Sequence, residues 1–212
     1  MNKKEQLKSD LDKITKSIHT FLQSFEYCFY LNFPKSEESL DEKHLIYITK
    51  SGFFSFARYA FWRVTILELH KLLNDNKETD KFNIHHLIRK LRPGGFYQSL
   101  KVSESKIDEW QFELEKQKKS IKEVSKLRLK LYAHTDNDYK NVIDNSDLTL
   151  SATEELINVI INIIFDIYQI IFDTHYIFKP IHKKETLRKI INDIISKRES
   201  ERNKIMEKFK RN

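Results

Sequence analysis

The sequence predicts an all-α protein, an up-and-down bundle of four to five long helices with one short connecting helix. Three observations carry that prediction. Only three glycines and three prolines punctuate 212 residues, too few for a turn-rich β architecture. Apolar residues recur at steps of three and four over stretches much longer than a strand. The stretches are separated by polar runs that hold proline, asparagine and aspartate, residues that end helices.

The first helix is expected from Lys3 to about Leu31, where Leu7, Leu11, Ile14, Ile18, Phe21, Leu22 and Phe25 share one face. Residues 32–43 read as a loop, because Pro34 disfavours helix in the residue before it and Glu37-Glu38 adds an acidic run. A second long helix is expected from about His44 to Leu73. Its aromatics, Phe53 to Trp62, leave almost no polar face, which makes it central to the bundle, and Gly52 gives it room for a kink or a close contact. After the polar loop Asn74 to Lys81 comes a short basic helix over 83–92, capped by Asn83 and ended by Pro93-Gly94-Gly95. His85 and His86 are adjacent there, about 100° apart on the helix, and cannot readily chelate one ion.

Ser103 or Ser105 should cap a third long helix over about 104–134, whose charged middle, Glu113 to Lys122, projects into solvent. The polar connection 135–150 is long enough to be mobile or to roof a site. Ser151-Ala152-Thr153-Glu154 has the form of a capping box, so a fourth long helix should run from Ala152 to about Tyr176. Asn158, Asn162, Asp166, Gln169 and Asp173 form a narrow polar stripe on it, the mark of a buried soluble helix and not of a membrane span. Beyond Lys179-Pro180 a final helix from about Lys183 carries Leu187, Ile190, Ile191, Ile194 and Ile195 on one face. Residues 183–212 hold eleven basic and five acidic side chains, which is most of the net charge of +7. The expected division is a helical bundle over 1–180 and a C-terminal basic helix over 181–212, packed on the bundle or extending from it.

The charge makes a polyanion a plausible partner. Cys28 is the single cysteine, which rules out an internal disulfide and a cysteine-rich metal site and suits the cytoplasm. No apolar run follows the basic N-terminus, so a secretion signal is not expected. Phosphate-binding glycine loops, a Gly-x-Ser-x-Gly elbow and a His-Glu-x-x-His run are all missing from the sequence, leaving P-loop, serine-hydrolase and zinc-protease chemistry without support.

The third helix ends in Lys126-Leu127-Arg128-Leu129-Lys130-Leu131-Tyr132-Ala133-His134-Thr135-Asp136. Ile107, Trp110, Leu114, Ile121 and Val124 lead by steps of three, four or seven to Arg128, which places the arginine on the apolar stripe. A guanidinium there has to be paired or to face a cleft. His134 follows at the helix end. An imidazole beside a guanidinium suits cleavage of a phosphodiester whose nucleophile is already in the substrate, as the 2′-hydroxyl is in RNA.

The string Leu-Arg-x-Lys-x-Tyr-Ala-His-x-Asp, with five residues between Arg128 and His134, resembles the signature of the HEPN superfamily of small helical proteins. It looks like the AbiU-type abortive-infection branch of that superfamily. The resemblance covers about residues 1–178. It implies a HEPN-like bundle and a metal-independent endoribonuclease with no cofactor, acting as a toxin or antiphage effector. It also implies a homodimer in which the helices bearing Arg128 and His134 meet around RNA, and a cognate antitoxin as a further partner. In that picture His134 moves a proton and Arg128 stabilises charge on the phosphate; a buried or half-buried ion pair for Arg128, and for His134 a helix-end residue that complements the macrodipole, are the other readings. Tyr132 and Asp136 would support them; a core tyrosine and a loop-capping aspartate are the other readings. Lys130, Arg58 and Arg63 are candidates to bind RNA, against the simpler readings of a solvated lysine and of arginines that snorkel or pair with Glu68 or Asp166. A homodimer also fits the apolar surface of the second and fourth helices, more than one bundle readily covers. Leu129 departs from the pattern, since many active members carry a polar residue directly after the arginine. That departure keeps open a catalytically silent binding module, or an antitoxin or immunity partner of similar fold.

Overall fold

The computed structural model describes residues 2–33, 42–75, 82–133, 146–179 and 184–210; for 130–133 and 184 the description stops at the backbone. Helices take 84% of the described residues and no strand occurs among them. The all-α expectation therefore holds. The helices are α1 Lys3–Asn32, α2 Glu42–Lys50, α3 Gly52–Leu73, α4 Ile84–Leu91, α5 Glu104–Lys116, α6 Lys118–Ala133, α7 Leu150–Phe172 and α8 Lys184–Lys210, with a 3-10 turn at Gln98–Leu100. The loops expected at 32–43, 74–81 and 135–150 fall largely on residues 34–41, 76–81 and 134–145, outside the described residues.

The chain forms two compact units, residues 1–22 with 63–179 and residues 23–62 with 180–212. The first is built on the early part of α1, which begins at a reciprocal cap: Asn2 Oδ1 accepts from the Glu5 amide at 2.8 Å, and Glu5 Oε2 accepts from the Asn2 amide at 2.9 Å. Leu7, Leu11, Ile14, Ile18 and Phe21 are fully buried on its predicted face. At α4, Asn83 Oδ1 accepts from the His86 amide at 2.7 Å, the cap its sequence foretells. The chain then turns back through Gly94, at φ +80°, and Gly95, where a Cβ would stand 2.4 Å from the Arg89 carbonyl oxygen. Only glycine fits that approach. The turn delivers buried Tyr97, whose hydroxyl donates to Asp10 Oδ2 at 2.8 Å beside the Lys90 ammonium at 2.7 Å, and this ties α4 to α1.

In the second unit Tyr30, Leu31, Ile48, Phe54, Ala57 and Ile191 form the core, with Tyr47, Phe61, Leu187 and Ile195 against it. Buried His44 accepts or donates at both ring nitrogens, to Tyr30 Oη at 2.8 Å and Asn192 Oδ1 at 2.7 Å. From Ser196 to Lys210 every residue of α8 is exposed.

Four element boundaries differ from expectation. The helix expected over 44–73 is two, α2 and α3, interrupted at Ser51. Gly52 marks that interruption and has no close neighbour to accommodate, since an added Cβ would meet nothing within 4 Å. The helix expected over 104–134 is likewise two. Ser103 is its cap, but Gln117, at φ −90° and ψ 7°, separates α5 from α6. The fourth long helix starts earlier than the capping box suggested, because the Thr149 hydroxyl accepts from the Ala152 amide at 3.0 Å and caps α7 in place of Ser151. It ends at Phe172, where Asp173 takes a left-handed conformation at φ 53°. The following segment folds back, so that Tyr176 stacks on Tyr168 with centroids 4.7 Å apart and lies 3.3 Å from His19 Nε2.

Among the described helices α7 alone is long and apolar enough to cross a membrane. Its apolar face, Leu156 to Tyr168, is buried against α5 and α6, and Asn158, Asn162 and Gln169 of the polar stripe are exposed. Asp166, half-buried, accepts from Trp110 Nε1 at 2.8 Å and pairs with Lys106 at 2.9 Å, locking α5 onto α7. The hydrogen bond to that carboxylate raises the Lys106 pKa. Glu68 pairs with Lys71 at 2.6 Å. These are the partners found for the two carboxylates that the sequence offered to Arg58 and Arg63.

Candidate functional site

The interruption at Gln117 decides where Arg128 points. In one unbroken helix, steps of three and four from Ile107 would carry the arginine into the core. Instead α5 buries Ile107, Trp110 and Leu114, and α6 restarts with Val124 and Leu127 as its buried residues. Arg128 lies about 40° round the helix from Val124, on the side away from Leu127, which is about 60° the other way. It is therefore at the edge of the buried stripe and exposed, five positions before the helix ends at Ala133. The expectation of an arginine on the stripe is corrected to an arginine in solvent reach, and it forms no ion pair with another described residue.

Lys118, Ile121, Lys122 and Ser125 line an open cleft of about 630 Å³ between α4, α5 and α6, floored by the C-terminal end of α3. Their spacing of three and four continues along α6 to Arg128 and Leu129. Leu129 is 54% exposed. The residue that departs from the family pattern thus presents apolar surface to solvent, one turn beyond the cleft and beside the arginine.

Across the cleft stands half-buried His85 of α4. Burial lowers the pKa of its imidazole, Asp75 opposing and Arg89 reinforcing the shift. Arg89 pairs with Asp75, and Lys118 pairs with Glu115. The two acids among the lining residues are thereby matched, and Lys122 adds a positive charge that has no ion-pair partner among the described residues. Among the described residues no group of three or more His, Cys, Asp or Glu side chains is arranged to hold a metal ion.

The other candidates divide sharply. Arg58 lies in the second unit, half-buried, and donates from Nη1 to the Leu31 carbonyl oxygen at 3.4 Å, where it satisfies the C-terminal turn of α1. Arg63 is half-buried on α3 and engaged with neighbours. The Lys130 and Tyr132 side chains, and His134 and Asp136 altogether, lie outside the described residues.

Sequence reading missed the cleft, having assigned Glu113–Lys122 to solvent as a charged run. The usable signal was the spacing of Lys118, Lys122, Ser125 and Leu129 on one helical face, which resembles any solvated face until α4 is placed opposite it.

The family model described as AbiU2, within the HEPN group, matches residues 6–190, from the first turns of α1 into the start of α8. No curated protein and no solved structure matches the chain.

Proposed function

Because the chain belongs to the AbiU2 family of the HEPN superfamily, an abortive-infection family, we propose that it is a metal-independent endoribonuclease acting in the cytoplasm as a toxin or antiphage effector. The observation that carries the reading is the exposure of Arg128 near the end of α6. A guanidinium buried in a core ion pair could not reach a substrate; one on an open helix face can.

The chemistry needs no group that the chain lacks. The RNA 2′-oxygen attacks phosphorus and the bond to the 5′-oxygen breaks, giving a 2′,3′-cyclic phosphate and a 5′-hydroxyl. His134, next in sequence after α6, takes the 2′-hydroxyl proton or supplies one to the leaving oxygen. Arg128 neutralises the charge gathering on the non-bridging oxygens and, as a planar fork, can hold two of them. In the working form two copies meet through the helices bearing these residues, and a cognate antitoxin restrains them.

Purified protein freed of any antitoxin, incubated with single-stranded RNA in excess chelator, should generate cyclic-phosphate ends. His134→Ala should lower the rate about 10²- to 10⁴-fold. If folded wild-type protein leaves the RNA intact, the exposed Leu129 favours the second reading, a catalytically silent module or antitoxin whose partner packs on that apolar surface.

A further inference from the structure

We propose that the cleft between α4, α5 and α6 is a nucleotide subsite, which holds one base of single-stranded RNA beside the phosphate that Arg128 addresses. The identity of the ligand rests on the nuclease reading above; the site itself rests on the cleft.

Its volume of about 630 Å³ lies within the span usual for small-molecule pockets, roughly 300–1,000 Å³. Its lining is the mixture a nucleotide requires. Phe112, on α5, lines the cleft and is 63% exposed, so its ring is accessible to a ligand. Flat aromatic surface of this kind is where unpaired bases stack. The Lys116 ammonium, paired with Glu113 at 2.6 Å, stands 4.5 Å from the ring centroid beside the cleft.

Groups able to read a base edge stand on the facing walls. Gln111 accepts from Arg92 Nη2 through its side-chain oxygen, an orientation that frees its amide nitrogen to donate. Lowered by burial, the His85 imidazole stays neutral near neutral pH and has one nitrogen to donate and one to accept.

The backbone of the strand would follow α6. Lys122 and Arg128 are six residues apart, about 9 Å along the axis and about 120° round it, so they stand at the two edges of the α6 face that lines the cleft. Asp75 and Glu115 do not repel the strand outright, since Arg89 and Lys118 are paired with them.

The test uses full-length protein and a fluorescent single-stranded RNA with 2′-O-methyl groups throughout, which removes the nucleophile and separates binding from cleavage. Phe112→Ala should weaken binding about tenfold or more. Lys122→Gln should weaken it and lower the salt slope by about one. Lys101→Gln, an exposed lysine outside the cleft, should lower affinity less. In a parallel assay on unmodified RNA, Phe112→Ala should change which bases flank the cuts and raise KM more than it lowers kcat. If wild type cuts RNA while both cleft variants bind and cut as it does, the subsite is wrong and the nuclease reading stands. If wild type binds but never cuts, and the cleft variants weaken binding, the subsite stands and the nuclease reading falls. If wild type binds no RNA, both fall.

Discussion

Replacing Arg128 with alanine separates catalysis from stability, because the structure moves this residue from core to surface. The fold keeps Val124 and Leu127 as the buried pair of α6, both at or below 1% exposure. Arg128 contributes only its outward face, so Arg128→Ala should shift stability by no more than about 0.5 kcal/mol. An arginine buried on the stripe would behave differently, since removing one partner of a buried pair costs about 3–5 kcal/mol. Loss of one preorganised donor to a developing oxyanion typically lowers the rate about 10²- to 10³-fold, or about 2.7–4 kcal/mol of barrier. Thermal melts and initial cleavage rates in chelator, measured on one preparation, read the two quantities together. Arg128→Lys keeps the charge without the planar fork and should recover part of the rate. Unchanged cleavage by a folded Arg128→Ala protein would refute the catalytic assignment. A loss of several kcal/mol in stability would instead refute the placement of Arg128 outside the core.

Gly95→Ala should destabilise the first unit by more than about 2 kcal/mol, a backbone clash of the kind that yields large mutational effects, because the new Cβ would stand 2.4 Å and 2.5 Å from the Arg89 and Lys90 carbonyl oxygens; a melting temperature equal to wild type would contradict that packing. Burial raises the Tyr168 hydroxyl to about 12, aided by Asp12 and Tyr176, and burial with the Asp10 hydrogen bond and charge raises Tyr97 further. Raised folded values mean that this stability is complete below the ordinary tyrosine value near pH 10 and is lost as pH climbs through the folded values. Melting temperature should therefore fall steeply from pH 10 to 12, and less steeply in Tyr97→Phe; an equally steep fall would acquit Tyr97. Removing residues 200–212 spares the stacking of Arg198 on Tyr47 and the Lys43–Glu199 pair, deletes only exposed residues of α8, and should leave stability within about 0.5 kcal/mol of wild type. If that tail touches RNA, its removal flattens the salt dependence of binding by about one for each phosphate the tail neutralises, and an unchanged slope removes the tail from the interface.

How much was legible in the sequence depended on whether a local signal had a rival. The face of α1 and the cap at Asn83 had none, and both are found where periodicity and capping chemistry put them. At α7 two hydroxyls competed to cap one helix, and Thr149 prevails over Ser151, with Leu148 buried just before it and the Thr153 hydroxyl donating to the Thr149 carbonyl at 2.8 Å. The break at Gln117 had no signal at all. Between Leu114 and Ile121 the sequence offers only charged and polar helix formers, and with no apolar residue to fix the phase the helix can reset at small cost. That reset displaced the site prediction as well, since the position of Arg128 was extrapolated through it. The cleft was illegible for a different reason: its walls come from four consecutive helices, and periodicity reports on one helix at a time and not on how the helices pack.

Leu129 is where the sequence and the structure bear on each other most directly. From the string alone it is a hydrophobic residue in the place of a polar one, a mark against catalysis. On α6 it is a solvent-exposed leucine, 54% accessible, seven residues after Lys122 and so on the cleft-lining face. An apolar side chain there contributes no core packing that would explain it. Burying it against a partner would release about 25 cal/mol for each Å² covered, a gain that the isolated chain leaves unused. A base seated in the cleft, a second copy or an antitoxin could each cover it. A leucine at this exposed position is neutral toward the chemistry, and catalysis has to be judged on Arg128 and His134 themselves.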